Sequence, residues 1–171
     1  YARVGITSDK EASLYNNKVL DGNLVESDAL TTLIGKASAT QIVALNANYN
    51  KALTISNDVT IFTNGYTIST LNVTAGTVTF VYDNYKGGAN SVSVTGGKLV
   101  LNGGIFGSLN VGANGNVEQN GAIFTGTATN AGTLTTTEGT FESGLTSTAG
   151  TLTINNGTFN GDTAIIISGR T

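Results

Sequence analysis

The sequence predicts an all-β fold, a β-solenoid or parallel β-helix of about six to seven coils of ~18 residues, entered through a short N-terminal capping helix. Three observations carry that expectation. The pairs Asn102-Gly103, Asn120-Gly121, Glu138-Gly139 and Asn156-Gly157 recur at intervals of 18. Each is followed within three residues by Phe106, Phe124, Phe141 or Phe159, spaced 18, 17 and 18. Between these marks, runs of three to five residues alternate apolar and polar side chains, so that one face of each strand meets a core and the other meets water. A single coil has too little core to fold alone. Stacking coils buries a continuous apolar column.

Residues 1–50 form the expected N-terminal capping segment. Within it, residues 26–38 (ESDALTTLIGKAS) place Ala29, Leu30, Leu33, Ile34 and Ala37 at helical spacing, with Ser27 or Asp28 positioned to cap the start. Such a helix protects a solenoid end, which otherwise presents unpaired N–H and C=O groups and an open core. Ile42, Val43 and Leu45 then begin the first strand.

Residues 51–171 form the repeats. Leu53 with Ile55, Val59 with Ile61, and Asn64-Gly65 make an early, less regular turn. The next inward pairs are Leu71 and Val73, Val92 and Val94, Leu109 and Val111, Thr127 and Thr129, and Leu145 and Ser147. A glycine follows each: Gly76, Gly97, Gly115, Gly132 and Gly150. Beyond the glycines the inward positions are Val78 and Phe80, Leu99 and Leu101, Val117 and Gln119, Leu134 and Thr136, and Leu152 and Ile154. Parallel stacking at about 4.8 Å per coil makes a rod on the order of 35 Å long, with a Phe ladder, a Leu/Val ladder and an Asn ladder of Asn102, Asn120 and Asn156. Asn-Gly is also a strong hairpin signal. An antiparallel sandwich, however, returns strands every 8 to 12 residues, about half the interval at which matching side chains recur here. The period suits either handedness.

The stretch ESDALTTLIGKASATQIVALNANYNKALTISNDVTIFTNGYTIS resembles the entry to right-handed parallel β-helices of the pectate-lyase-like superfamily. The resemblance is architectural, of the kind met in bacterial surface adhesins and phage fibre proteins. It implies a helix over the first coil and a regular stack behind it. No catalytic motif of that family can be carried over.

Composition narrows the chemistry. Charged residues are 11% of the chain against about 25% in an average soluble domain, with net charge −3 and no Cys, Met, His, Trp or Pro. Lacking His and Cys, the chain has no imidazole base, no thiol nucleophile and no standard zinc or copper site. Carboxylates remain: Asp83, Glu118, Glu138, Glu142 and Asp162 in the regular coils, with Glu118 and Glu138 spaced to share a face. Two acids one coil apart fit glycosidase geometry, and they equally fit solvated surface charge that discourages edge pairing. We expect the latter, hence no enzyme, cofactor or metal site. Between Lys98 and Arg170 there is no Lys or Arg, which argues against a lyase and against nucleic acid. No apolar run reaches membrane-spanning length, so membrane insertion is not expected.

Two surface features invite binding hypotheses. The segment Tyr82-Asp83-Asn84-Tyr85-Lys86-Gly87-Gly88 is where the repeat lengthens, and insertions in solenoids map to loops. Tyr82, Asp83 and Tyr85 are therefore candidate contacts for a glycan or receptor, beside Tyr49 and Tyr66 nearby. Thr133, Thr135, Thr137, Thr151 and Thr153 form a short array like the ice-binding faces of some antifreeze proteins, interrupted by Asn116 and Lys98. At the far end, Ile165, Ile166 and Ile167 make a strand with no capping segment visible after it, an expected edge for self-association or for a neighbouring domain. Tyr1 as the first residue of a chain without Met points to a segment of a longer, secreted precursor.

These readings converge on a non-enzymatic extracellular structural or adhesive rod: a virion fibre, cell-surface protein or filament subunit joined through its solenoid ends. The alternatives are a polysaccharide-binding or polysaccharide-degrading β-helix and an ice-binding solenoid.

Overall fold

The computed structural model describes residues 18–22, 27–38, 41–82 and 86–169. The strands are β1 (Lys18–Gly22), β2 (Gln41–Leu45), β3 (Tyr49–Ile55), β4 (Val59–Phe62), β5 (Thr67–Val73), β6 (Thr77–Phe80), β7 (Gly88–Val94) and β8 (Lys98–Leu101). They continue as β9 (Ile105–Val111), β10 (Asn116–Phe124), β11 (Ala128–Asn130), β12 (Thr133–Phe141), β13 (Leu145–Ser147), β14 (Thr151–Ile154), β15 (Thr158–Phe159) and β16 (Ile165–Ile167). A single described helix, α1 (Ser27–Lys36), lies between β1 and β2. It is too short to cross a membrane.

Every described strand pairs in parallel with the equivalent strand of an adjacent coil, and about seven turns stack into the predicted β-solenoid. Three ladders run along it. The first stacks β1, β2, β4, β6, β8, the leading halves of β10 and β12, and β14. The second joins the leading residues of β3, β5, β7 and β9 to the trailing halves of β10 and β12 and to β15. The third comprises the trailing parts of β3, β5, β7 and β9, then β11, β13 and β16.

Register turns the alternating pattern into columns. Leu53, Leu71, Val92, Leu109, Ala128 and Leu145 follow one another inward on the third ladder, all buried. Val59, Val78, Leu99, Val117 and Leu134 do the same on the first. Phe106, Phe124, Phe141 and Phe159 form the expected aromatic ladder, with centroids 5.2 to 5.6 Å apart, and Phe80 extends it with an edge contact at 5.8 Å. Corners need backbone that a side chain would obstruct. At Gly150 the φ is +68°, and a Cβ there would overlap the Gly132 carbonyl of the coil before.

One inward pair differs from expectation. Ala128 and Asn130 point into the core, while Thr127 and Thr129 face solvent. Ala128 lies 19 residues after its partner Leu109, one more than the repeat, and the extra residue slides the alternation by one. A one-residue slip exchanges the two faces of a strand.

Among the described residues, α1 covers the core at the N-terminal end. Leu30 and Ile34 of α1 are buried in the main core, Leu33 and Ala37 pack against it, and Asn57 Nδ2 donates to the Ile34 carbonyl at 3.1 Å. Strand β1, which carries little alternation in sequence, adds a parallel partner to β2 upstream of the first strand expected. The Asn ladder holds over one step: Asn120 Nδ2 donates to Asn102 Oδ1 at 3.1 Å, and in the next coil Glu138 takes the matching position.

Candidate functional site

The 21-residue coil from Gly76 to Gly97 carries the surface feature with the most definite shape. Phe80 ends β6 inside the core, and Tyr82, two residues on, is 56% exposed. Lys86, just before β7, is one of two described non-glycine residues with positive φ, at +59°. Tyr82 and Lys86 wall a shallow cavity of about 180 Å³ whose floor is Ile105 and Ile123 over Gly103 and Gly121. A Cβ at Gly103 would sit 2.9 Å from Tyr82 Cδ2, so any larger residue there would displace the exposed ring.

Ile105 and Ile123 are cross-coil partners on the outward side of the second ladder. Their column reads Thr67, Gly88, Ile105, Ile123, Thr140 and Thr158, so within this column apolar side chains occur only beside the inserted segment. That signal was available in the sequence, as the one place where the residue before the repeat's Phe is Ile rather than Thr. Of the expected contacts, Tyr82 is in the cavity wall, whereas Asp83 and Tyr85 lie outside the described residues. Tyr49 is buried in the core and Tyr66 packs against it, which removes both from any exposed cluster.

The carboxylates sit differently. Glu118 faces outward on the first ladder, 2.7 Å from Lys98 Nζ of the preceding coil, and accepts from Asn120 Nδ2 at 3.2 Å. The Lys98 hydrogen bond, then that of Asn120, hold its carboxyl below the ordinary value against a small opposing effect of burial. Glu138 registers with Asn120, three residues along from Thr135, the partner of Glu118. Neither acid lines the cavity beside Tyr82.

On the same outward side, Thr133 and Thr135 register with Thr151 and Thr153. The array stops where Asn116 and Glu118 oppose Thr133 and Thr135. Thr60, Thr77 and Thr79 make a second outward group three coils away, separated from the first by Lys98 and Val100.

The last described coil is open. Its inward residues Leu152, Phe159 and Ile165 are only half-buried, and Ile154 and Ile167 are 41% and 58% exposed. Ile165, Ile166 and Ile167 pair with Leu145, Thr146 and Ser147 on one side. Outward, Ile166 ends a column of Thr54, Asn72, Ser93, Asn110, Thr129 and Thr146, and at 43% exposure it is the one large apolar member. Compared with known proteins, the chain matches no family model, no curated sequence and no solved structure.

Proposed function

We propose that this chain is a non-enzymatic extracellular rod module, structural and adhesive, that joins other protein through its C-terminal coil. The observation that carries the reading is the asymmetry of the two ends: α1 covers the core at one, while Ile154, Ile166 and Ile167 are exposed at the other. Exposed apolar columns and an unpaired strand edge are a template for another chain. Because α1 occupies the N-terminal end, a second copy meets this edge best with its own open end. Two rods then share an axis about a two-fold perpendicular to it, and the strands at the joint run antiparallel.

The low charge content and the Thr-, Asn- and Ser-rich outward columns support an extracellular setting, in a virion fibre, a cell-surface protein or a filament. The helix-covered entry and parallel stack support relating the chain to the pectate-lyase-like β-helices. That relation is one of fold and carries no activity.

Light scattering and negative-stain imaging across a concentration series test the reading. We expect a two-fold mass increase and rods of doubled length, both abolished by Ile167→Lys. A chain that stays monomeric at every concentration with its final strand solvent-exposed contradicts it.

A further inference from the structure

We propose that the cavity beside Tyr82 is a subsite for a single saccharide ring, with preference for a ring that carries a carboxylate. The inference gives chemical content to the adhesive half of the function above, and it stands or falls independently of how the rod ends join.

Four observations meet at this place. The solenoid is lengthened here, in the coil from Gly76 to Gly97. A tyrosine ring stands 56% exposed on glycine backbone. Two isoleucines interrupt an outward column that is otherwise Thr or Gly. Lys86 is held at φ +59°, a conformation that costs a non-glycine residue of order 1–3 kcal/mol and that concentrates at functional positions. Other corners of the rod carry glycine at such φ, as at Gly97 and Gly150, or the tolerant asparagine, as at Asn64.

The chemistry of the lining selects the ligand. A pyranose has a C–H face and a hydroxyl rim. The exposed ring of Tyr82 suits the C–H face. Ile105 and Ile123 offer the apolar floor. Lys86 supplies three donors and a positive charge, and among the described residues it makes no ion pair. A carboxylate on the sugar is the partner that a single ammonium beside an apolar floor favours most, since a charge-assisted hydrogen bond is about twice as strong as a neutral one. The volume of about 180 Å³ admits one ring and falls below the ~300–1,000 Å³ of pockets for drug-sized ligands.

The test is titration of the intact chain, followed by NMR, with methyl β-glucuronide and with neutral methyl β-glucoside as probes. A single-ring site of this kind predicts a Kd on the order of 1–10 mM for the glucuronide and weaker binding of the glucoside. Tyr82→Ala should weaken both by about tenfold or more, while Tyr82→Phe keeps most of the binding. Lys86→Gly is the decisive variant. It should raise thermal stability by relieving the positive φ, and at the same time erase the difference between the two sugars. Failure of both sugars to shift any resonance overturns the proposal. So does glucuronide binding that survives Tyr82→Ala unchanged, or a sugar preference that persists in Lys86→Gly.

Discussion

Phe124 and Phe141 stack almost face to face, their centroids 5.3 Å apart and their planes 12° from parallel, although 17 residues separate them in sequence. The contact is the solenoid repeat expressed in one pair of side chains. Each ring is fully buried and continues to another ring, Phe106 on one side and Phe159 on the other. Truncating Phe124 should therefore cost about 3–5 kcal/mol, while Phe159→Ala at the half-buried open end should cost clearly less. Urea denaturation of the two variants measures the difference. Equal losses would mean that position along the stack does not set the contribution.

The corners predict opposite outcomes for two glycines. Gly150→Ala adds a Cβ against the Gly132 carbonyl at a φ of +68° and should destabilise by several kcal/mol, more than the usual Gly-to-Ala strain. At Gly35, within α1, nothing stands within 4 Å of the new methyl, and Ala should stabilise by about 0.5–1 kcal/mol. Thermal melts of the pair distinguish a steric corner from a tolerant helix.

Gln119 is fully buried where the same column holds Phe80 and Leu101 in the coils before it. Its Oε1 accepts from the Gly121 and Ala122 amides at 2.7 and 3.0 Å, and its Nε2 donates to the Ala122 carbonyl at 3.1 Å. It thus satisfies the backbone of a corner from inside the core. Gln119→Leu, although apolar like Leu101, strands these groups and should lose about 2–4 kcal/mol. A chemical-denaturation midpoint equal to wild type would refute that role.

The coil period, the inward columns and the Phe ladder were legible because glycine, asparagine and phenylalanine recur at a spacing that only stacking explains. The Thr127 and Thr129 assignment failed because one extra residue between Leu109 and Ala128 shifts the alternation without altering composition. The Gln119 cap was hidden for a different reason: an inward polar residue reads as a weak core position until its corner partners are seen. Strand β1 has too few alternating residues to announce itself, and its pairing with β2 is what defines it. At the cavity, Tyr82 was legible as an inserted aromatic. Ile105 and Ile123 were visible only as departures from the Thr that precedes the other repeat phenylalanines, and their adjacency to Tyr82 and Lys86 depends on register across coils.

Lys98 and Glu118 bridge adjacent coils, with side chains 39% and 36% exposed. Lowering of the Glu118 pKa in the folded state gives stability that is present above the ordinary carboxylate value and is lost as pH falls through the lowered one. Solvent screening keeps the gain small, about 0–1 kcal/mol. The stability gap between wild type and Glu118→Gln should be open at neutral pH, close in acid as Glu118 protonates, and narrow in high salt. A gap that widens in acid would reverse the sign of the assignment.

The central claim is that the exposed final coil is a joining surface, and hydrogen exchange of those amides of residues 151–155 and 165–168 that alternate with the ones already bonded to the coil before, such as Thr151, Asn155 and Ser168, followed across protein concentration, tests it most directly. We predict fast exchange of the alternating amides in dilute solution and their strong protection in both segments at high concentration, with the helix-covered end unchanged. Exchange that remains fast at every concentration, in a chain otherwise folded, would contradict it.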